Sequence, residues 1–384
     1  MKFLEKIKLP FIFLSLISVI TANGKIKPNI ALFLSHDHSL EAFAPSAKIL
    51  GNQKPTPFIS SILDKGQVFS HAFCETSNLS ASQASIFTGI HSHAFFSNLD
   101  QKNTSDSLFA LATNLQNSGY RTAYFGNWVL KSKPIGFDHW EILTNSDHFF
   151  NPEVQSPKDK KIVEGHTTDI ITDLCLNWLK SNENNEKPFF VFVSYNGTKR
   201  PWMPSLRNLE IYDDVLLKEP DTLFEEHKNK APPSRYQEMS IIKNLDMVED
   251  LFILHSGEEN NATGENGNVF RLNIARMNEE QRSTWYFSWQ PKNEAFSREN
   301  YENESLTRWK YQRFVKNYLR CVKSIDENLA RFHNFTNRSK SSNAIVLYTS
   351  HSGRFLGSMD GLVDYGHTRL HLEFLSLSMI LVLI

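Results

Sequence analysis

Four short apolar runs without polar alternation limit the fold of this chain more than any other feature. They lie at residues 29–35, 122–126, 189–194 and 344–350 and read NIALFLS, TAYFG, FFVFVS and AIVLYTS. Runs of this kind are typical of strands that are buried on both faces of a parallel sheet. Apolar residues at helical spacing separate them, at 105–117, 166–179 and 306–332. This alternation of strands and helices predicts a layered α/β domain.

The residues that directly follow these runs form a candidate site, because ligands bind beyond the carboxyl ends of the strands in an open α/β sheet. The positions hold His36, Asp37 and His38, then Asn127 and Trp128, residues 196–199, and His351 with Ser352. The residues alone offer one carboxylate and several histidines, and ordinary loop residues would give the same pattern. The segment 202–291 is less regular, and its polar stretch 256–268 is interpreted as an exposed loop.

The N-terminus has the pattern of a secretory signal peptide. Lys2, Lys6 and Lys8 precede an apolar run at 9–20, and small residues follow it at 21–24. The run is too short for a transmembrane helix, which needs about 20 residues, and so is the apolar run at 374–384. A buried first helix is the alternative. We expect a signal peptide over 1–23, a domain over 24–384, no transmembrane anchor, and a secreted or periplasmic protein.

Charge and cysteine content exclude some classes of protein. The 41 lysines and arginines nearly balance the 42 aspartates and glutamates, so no nucleic acid partner is implied. Three cysteines are too few for a disulfide scaffold, and their pairing stays open. In a host that glycosylates exported proteins the chain is expected to be a glycoprotein. Its seven sequons begin at Asn78, Asn103, Asn196, Asn261, Asn303, Asn334 and Asn337.

Six segments resemble, in the same order, motifs of the sulfatases of the alkaline-phosphatase-like superfamily. They read KPNIALFLSHD, TPFISSILDKGQVFSHAFCETSNLSASQASIFTGIHSH, GYRTAYFGNWVL with KPIGFDHW, KPFFVFVSYNGTKRPW, RWKYQRFVKNYLRCVKSIDENLARF and NAIVLYTSHSGRFLG. The resemblance runs from about Lys27 to the C-terminus. It implies a layered α/β/α domain around a mostly parallel central sheet, in which the family's small C-terminal subdomain is absent or truncated.

The resemblance also implies where the catalytic residues should lie, and most of these positions are substituted. A sulfatase oxidises a cysteine or serine to formylglycine, whose hydrated aldehyde attacks sulfur. Counting back from Thr88 and Gly89, that position holds Leu79, which has no heteroatom. Ser80 is one residue along and is expected to point elsewhere. The proline and arginine of the same motif are replaced by Ala81 and Gln83.

The family's calcium ligands match His36, Asp37, Leu79, His351 and Ser352 in this sequence. Calcium prefers six to eight hard oxygen ligands, largely carboxylates, and here only Asp37 keeps one. We therefore expect no cofactor. Imidazole is a softer ligand, so zinc at His36, Asp37 and His351 is a weaker hypothesis.

The groups that bind sulfate in the family are substituted as well, by Asn127, Val129 and Lys199. A late lysine of the family would align near residues 364–367, where no match is certain. Residues needed for shape remain, such as Gly89, Gly126, Trp128 and Pro201. This contrast favours a protein that keeps the sulfatase-like fold but does not catalyse the sulfatase reaction.

Three functions follow from the resemblance and its departures. The first is a secreted pseudoenzyme without sulfuric ester hydrolase activity, acting as a binding or regulatory module for a glycan or another protein. The second is a hydrolase of sulfate esters, of arylsulfatase or glycan sulfatase type, with altered metal chemistry. The third is a truncated gene product without function. The oligomeric state stays open.

Overall fold

A twisted sheet with helices on both faces forms the centre of the molecule. The computed structural model describes residues 27–43, 49–51, 54–63, 65–69, 74, 76, 78–94, 110–130, 132–225, 240–253, 269–338, 343–357 and, by backbone alone, 379–383. The described strands are β1 (Asn29–Ser35), β2 (Gln67–Phe69), β3 (Arg121–Gly126), β4 (His139–Leu143), β5 (Glu153–Gln155), β6 (Lys160–Ile162), β7 (Phe189–Tyr195), β8 (Ala344–Ser350) and β9 (Met379–Leu383). Their order across the sheet is β2-β9-β8-β1-β7-β3-β4-β5-β6.

The four apolar runs are the parallel centre of this sheet, as predicted. Strands β8, β1, β7, β3 and β4 pair in parallel, and the outer pairs are antiparallel. The register brings the last residues of β8, β1 and β7 side by side, because Ser35 lies opposite both Ser350 and Tyr195. At the end of β3, Gly126 has φ 107°, and a Cβ atom there would lie 2.1 Å from the Ser194 carbonyl oxygen. Only glycine permits this close approach.

Eight named helices lie in the described part of the chain. They are α1 (Pro57–Leu63), α2 (Leu79–Thr88), α3 (Ala110–Asn117), α4 (Thr167–Ser181), α5 (Ile241–Asn244), α6 (Val269–Arg276), α7 (Glu279–Arg298) and α8 (Asn303–Arg338). Successive side chains of a strand point to opposite faces. Accordingly, Phe33 packs with residues of α4 and α8, and Leu32 packs with residues of α2 and α3. The layered α/β/α architecture is therefore confirmed.

The interpretation of 202–291 as irregular is wrong at its C-terminal end, where α6 and most of α7 lie. Helix α7 starts with a capping box between Asn278 and Gln281, and it continues through Pro291. Its buried Trp285 and Trp289 pack against Phe252 and Phe270. Burial of these large rings outweighs the local cost of an internal proline.

Several sequence predictions lie outside the described residues. These are the signal peptide at 1–23, the start of the predicted helix at 105–109, the polar stretch 256–268 and the segment 364–367. The other two predicted helices are confirmed as α4 and α8, and α8 is longer than predicted at both ends. In the described part of the chain, no helix is both long enough and apolar enough to cross a membrane.

Candidate functional site

The loops after β1 and β8 meet at the carboxyl edge of the sheet and place Asp37 at their centre. The Asp37 carboxylate accepts a hydrogen bond from the Ser352 hydroxyl to Oδ1, at 2.5 Å. Its Oδ2 lies 2.5 Å from Nη2 of Arg354 and 2.9 Å from Nδ1 of His36. We name Asp37 and these three side chains the Asp37 cluster. Both carboxylate oxygens are thus engaged by this chain's own residues.

The backbone of Asp37 is held in a conformation that non-glycine residues seldom adopt. Its φ is 55°, in the left-handed region, which costs about 1 kcal/mol or more. Tyr318 of α8 fixes the loop, because its hydroxyl donates to the Asp37 carbonyl oxygen at 2.7 Å and accepts from the Ser39 N–H at 2.6 Å. The Thr198 hydroxyl, from the loop after β7, also donates to the His36 carbonyl oxygen. Three elements therefore set the position of this carboxylate.

Burial makes the electrostatics of the cluster unusual. Burial alone would raise the pKa of Asp37, but the charges of His36 and Arg354 and its hydrogen bonds lower that pKa well below its usual value. Burial, and then the charge of His36, lower the pKa of His351 to about 3. The rings of His36 and His351 lie edge to face with their centroids 5.2 Å apart. Asp37 is therefore ionised, and His351 is neutral, at physiological pH.

The position that resembles the formylglycine site lies at the start of α2. Asn78 caps this helix by accepting a hydrogen bond from the Ala81 N–H at 3.0 Å, and Leu79 is its first residue. The Ser80 hydroxyl donates to the Val129 carbonyl oxygen, in the loop after β3, at 3.4 Å. The Ser82 hydroxyl donates to the His351 carbonyl oxygen at 2.7 Å. The helix is therefore in place, although its nucleophile position carries only a hydrocarbon side chain.

Gln83, at the position that resembles that of the family's arginine, joins α2 to the loop after β3. Its Oε1 accepts from the Val129 N–H at 3.2 Å, and its Nε2 donates to the Tyr124 hydroxyl and the Asn127 carbonyl oxygen, both at 3.4 Å. Asn127 is buried, and its Nδ2 has no hydrogen-bond partner among the described residues. These residues hold the loop in shape and present no cation there.

Lys199 is not brought to the Asp37 cluster. Its Nζ donates to the Ser146 hydroxyl at 2.8 Å and pairs with the Asp147 carboxylate. Ser146 and Asp147 lie between β4 and β5. The structure thus brings His36, Asp37, His351 and Ser352 together and holds Lys199 in a separate ion pair with Asp147.

Arg354 could not be recognised from the sequence as part of the site, although it lies within the last resembling segment. An arginine at a variable position of a loop gives no signal by itself. Its role depends on Asp37, which is 317 residues earlier in the chain. Tyr318 was missed for the same reason, since it read as an ordinary core residue of α8.

The residues present do not fit the family's calcium ion. Asp37 is the one carboxylate of the cluster, and Arg354 and His36 already contact its Oδ2. Calcium takes six to eight oxygen ligands, and a guanidinium at this distance opposes a second cation. Among the described residues, no three histidines, cysteines, aspartates or glutamates are arranged to hold a metal ion. The zinc hypothesis for His36, Asp37 and His351 stays a prediction.

The site thus places an acidic residue, Asp37, directly after a central strand of an α/β/α domain. The family model described as Sulfatase matches residues 39–369. The chain belongs to the sulfatase family, and it has the alkaline-phosphatase-like fold.

Particular relatives are also similar. An N-acetylglucosamine-6-O-sulfatase of Bacteroides thetaiotaomicron is 31% identical over 338 residues, which cover 86% of this chain and 59% of that protein. An extracellular sulfatase SULF-1 homolog of Drosophila melanogaster is 29% identical over 195 residues, or 46% of this chain and 17% of that protein. A solved structure in complex with its substrate D-glucosamine-2-N,6-O-disulfate superposes with a TM-score of 0.80 at 28% identity, covering 92% of this chain and 70% of that one. The chain thus spans about three-fifths of the length of the first of these relatives.

Proposed function

We propose that this protein recognises sulfate esters of glucosamine-type sugars. The observation that carries this proposal is the similarity, at a TM-score of 0.80 and 28% identity, to a structure that holds D-glucosamine-2-N,6-O-disulfate as its substrate. The N-acetylglucosamine-6-O-sulfatase at 31% identity supports the same class of sugar. The two relatives agree on a 6-sulfated glucosamine unit.

The comparisons favour hydrolysis of the ester over binding alone. The matched family and the relatives named above are sulfatases. They give the pseudoenzyme interpretation no support. A hydrolase built on this chain would need a nucleophile other than residue 79, because leucine cannot form the aldehyde.

One specific observation nevertheless favours a second candidate, which is binding without turnover. Leu79 stands at the nucleophile position, and Arg354 contacts the carboxylate that would hold the metal. The Asp37 cluster is also buried, since Asp37 is 3% exposed and Arg354 is 5% exposed. A likeness over 338 residues is compatible with the loss of a few catalytic side chains. We therefore expect recognition of the sulfated sugar without its hydrolysis.

Lys199 supports recognition, because it supplies a positive charge at a position where the family binds sulfate. Its side chain is partly exposed and its partners Ser146 and Asp147 lie in a neighbouring loop. Charge-assisted hydrogen bonds to sulfate oxygens are stronger than neutral ones. The relatives named as extracellular support export of this chain. Sulfated glycans are found in the extracellular space.

Calorimetry and sulfate release together test the proposal. N-acetylglucosamine 6-sulfate and unsulfated N-acetylglucosamine are titrated into the native protein, and free sulfate is measured by ion chromatography against a heat-denatured control. We expect binding of the sulfated sugar alone and no sulfate release. Equal binding of both sugars, or of neither, would contradict recognition. Sulfate release above the control would support the hydrolase and exclude binding without turnover.

A charge variant sharpens this test. Lys199→Ala should weaken binding of the sulfated sugar by about tenfold, the effect of losing one charge-assisted hydrogen bond. Lys160→Ala is the matched control, since Lys160 also pairs with an acidic residue, Glu153, but lies on the edge strand β6. An equal loss in both variants would point to a general effect of charge and would remove Lys199 from the site.

A further inference from the structure

Asp37 is a buried carboxylate, and it requires a neighbouring positive charge. An isolated ionised carboxylate in a low-dielectric interior is costly unless it is paired and hydrogen-bonded. Its side chain is 4% exposed, and the side chain of Arg354 beside it is 6% exposed. The 2.5 Å contact between Arg354 Nη2 and Asp37 Oδ2 supplies this charge from within the chain.

The guanidinium of Arg354 is held from more than one side. Its Cζ lies 5.3 Å above the ring of Trp202, which is buried. Farther along the same loop, the Leu356 N–H donates to the Glu41 carboxylate at 3.2 Å. An arginine over an aromatic ring and against a carboxylate is a stable arrangement for a desolvated cation. Arg354 is therefore fixed in place and does not reach out to solvent.

We infer that Arg354 takes the place of the divalent cation that the family binds at this centre. The guanidinium contacts the same carboxylate that remains from the family's ligand set, and it neutralises Asp37 without an exchangeable ion. The other substituted positions agree with this replacement. The Ser352 hydroxyl donates a hydrogen bond to Asp37 Oδ1 at 2.5 Å. His351 is an uncharged side chain where the family has a carboxylate.

This replacement has a consequence for how the centre behaves. A bound calcium ion can be removed by a chelator, and the centre then loses its positive charge. A covalently attached guanidinium cannot be removed, so the centre keeps one charge state and one shape at any calcium concentration. A single positive charge is also a weaker electrophile than a dication, which agrees with recognition rather than turnover at this centre.

Calcium binding by the native protein is the first test, and it needs no sugar, so its result is independent of the proposal on sulfated glucosamine. Terbium luminescence and equilibrium dialysis with calcium are measured on the native chain, together with its Tm in calcium and in EDTA. We expect no stoichiometric binding and a Tm difference within about 1 °C, since a ligand stabilises a protein only when it binds the folded state. One calcium bound per chain, with a higher Tm in calcium, would overturn the replacement.

Removal of the guanidinium is the second test. Arg354→Ala should lower the Tm in EDTA by roughly 5 °C or more, because it leaves a buried charge unpaired. Calcium or a low concentration of guanidinium ion should then raise the Tm of this variant, although neither raises the Tm of the native chain. Arg331→Ala is the matched control, because Arg331 pairs with Asp173 at an exposed position and its loss should change little.

The variants separate the replacement of a cation from an ordinary structural role. If Arg354→Ala is as stable as the native chain, or if neither cation raises its Tm, Arg354 does not stand in for a cation. If the alanine variant does not fold, Arg354→Lys is measured instead, because it retains the positive charge and should therefore have a Tm that calcium does not change. We expect Arg354→Lys to lose less Tm than Arg354→Ala and to bind no calcium. Calcium binding by Arg354→Lys would contradict the replacement.

Discussion

Residue 79 is the first residue of α2, and the helix begins there because the Asn78 side chain caps it. The Asn78 side chain accepts a hydrogen bond from the Ala81 N–H. The Ser82 hydroxyl donates to the His351 carbonyl oxygen in the loop after β8. Gln83 then satisfies the Val129 N–H. The first turn is thus occupied by structural hydrogen bonds. A nucleophile added at position 79 would therefore have neighbours that already make hydrogen bonds to other parts of the chain.

We predict that Leu79→Cys alone will not produce a sulfatase. Ala81 and Gln83 replace two residues of the motif that marks the cysteine for oxidation, so little formylglycine should form. An aldehyde that did form would lack its cation, which contributes several kcal/mol or roughly a thousandfold and more in rate. The variant is co-expressed with the maturation enzyme, its peptide mass is measured for the aldehyde, and sulfate release is assayed on an aryl sulfate and on sulfated glycans with calcium added.

Leu79→Ala is the control for folding in this experiment. Turnover by Leu79→Cys above the alanine control would show that the centre still supports the reaction and that the metal site has been misjudged. Formation of the aldehyde without turnover would show that the loss lies in the cation and the sulfate-binding groups.

Helix α6 illustrates how a buried polar residue holds two elements together. Asn273 is fully buried, and its Oδ1 accepts from the N–H groups of Phe149 and Phe150 at 2.6 and 3.1 Å. Its Nδ2 donates to the carbonyl oxygens of Asp147 and Val269 at 2.8 and 2.7 Å. The side chain is therefore fully satisfied. It fixes the loop that carries Asp147, the partner of Lys199.

We predict that Asn273→Ala lowers the free energy of unfolding by about 3 kcal/mol, because it leaves several buried backbone groups without partners. Leu272→Ala, on the same helix, should change it by less than about 0.5 kcal/mol, since Leu272 is half exposed. Urea unfolding of the two variants measures the difference. Equal effects would show that the loop does not depend on Asn273.

The predictability of these elements follows from how local their signals are. The four central strands could be placed from the sequence to within one residue, because a continuous apolar run needs no partner to be recognised. Helix α7 could not be placed from the sequence, because Pro291 interrupts the helical spacing of its apolar residues. Its stability comes from Trp285 and Trp289, which pack on residues distant in the chain. Asp37, His36, His351 and Ser352 could be predicted from the strand ends, whereas Arg354 became meaningful only once its neighbours were known.

At the scale of the whole molecule, the sheet and its helices match the sulfatase fold, whereas we predict that residues of the site are substituted. The chain is 31% identical to its relative over 338 residues, and the family match spans most of the domain. Packing of strands depends on many residues, so it tolerates substitution at a few positions. A catalytic centre depends on a few atoms that act as a unit, so it does not tolerate substitution of those residues. This difference explains how a chain of the family can carry Leu79 at the position that resembles that of the family's nucleophile.

Buried neutral histidines make the stability of the whole domain depend on pH, and His166 offers a clear case. It lies at the start of α4, its Nε2 donates to the Met203 carbonyl oxygen at 3.1 Å, and its ring packs against Phe150. Burial is the main cause that lowers the pKa of His166. The charge of Arg207 acts in the same direction, while Asp169 and the Met203 carbonyl oxygen oppose it. The folded state therefore resists protonation more than the unfolded state does.

We predict that the native chain loses more stability on acidification than His166→Gln. At pH 7.5 the histidine is neutral in both states. As the pH falls below about 6.5, the unfolded chain binds a proton more readily than the folded chain does, so the free energy of unfolding decreases, by at most about 1.4 kcal/mol per pH unit for this group. Glutamine retains a donor for the Met203 carbonyl oxygen but does not titrate. Urea unfolding at pH 7.5 and 5.5 should show a loss about 1 kcal/mol larger in the native chain. The other buried histidines contribute to both proteins and cancel in the difference, so an equal loss in the two would show that His166 is protonated in the folded state.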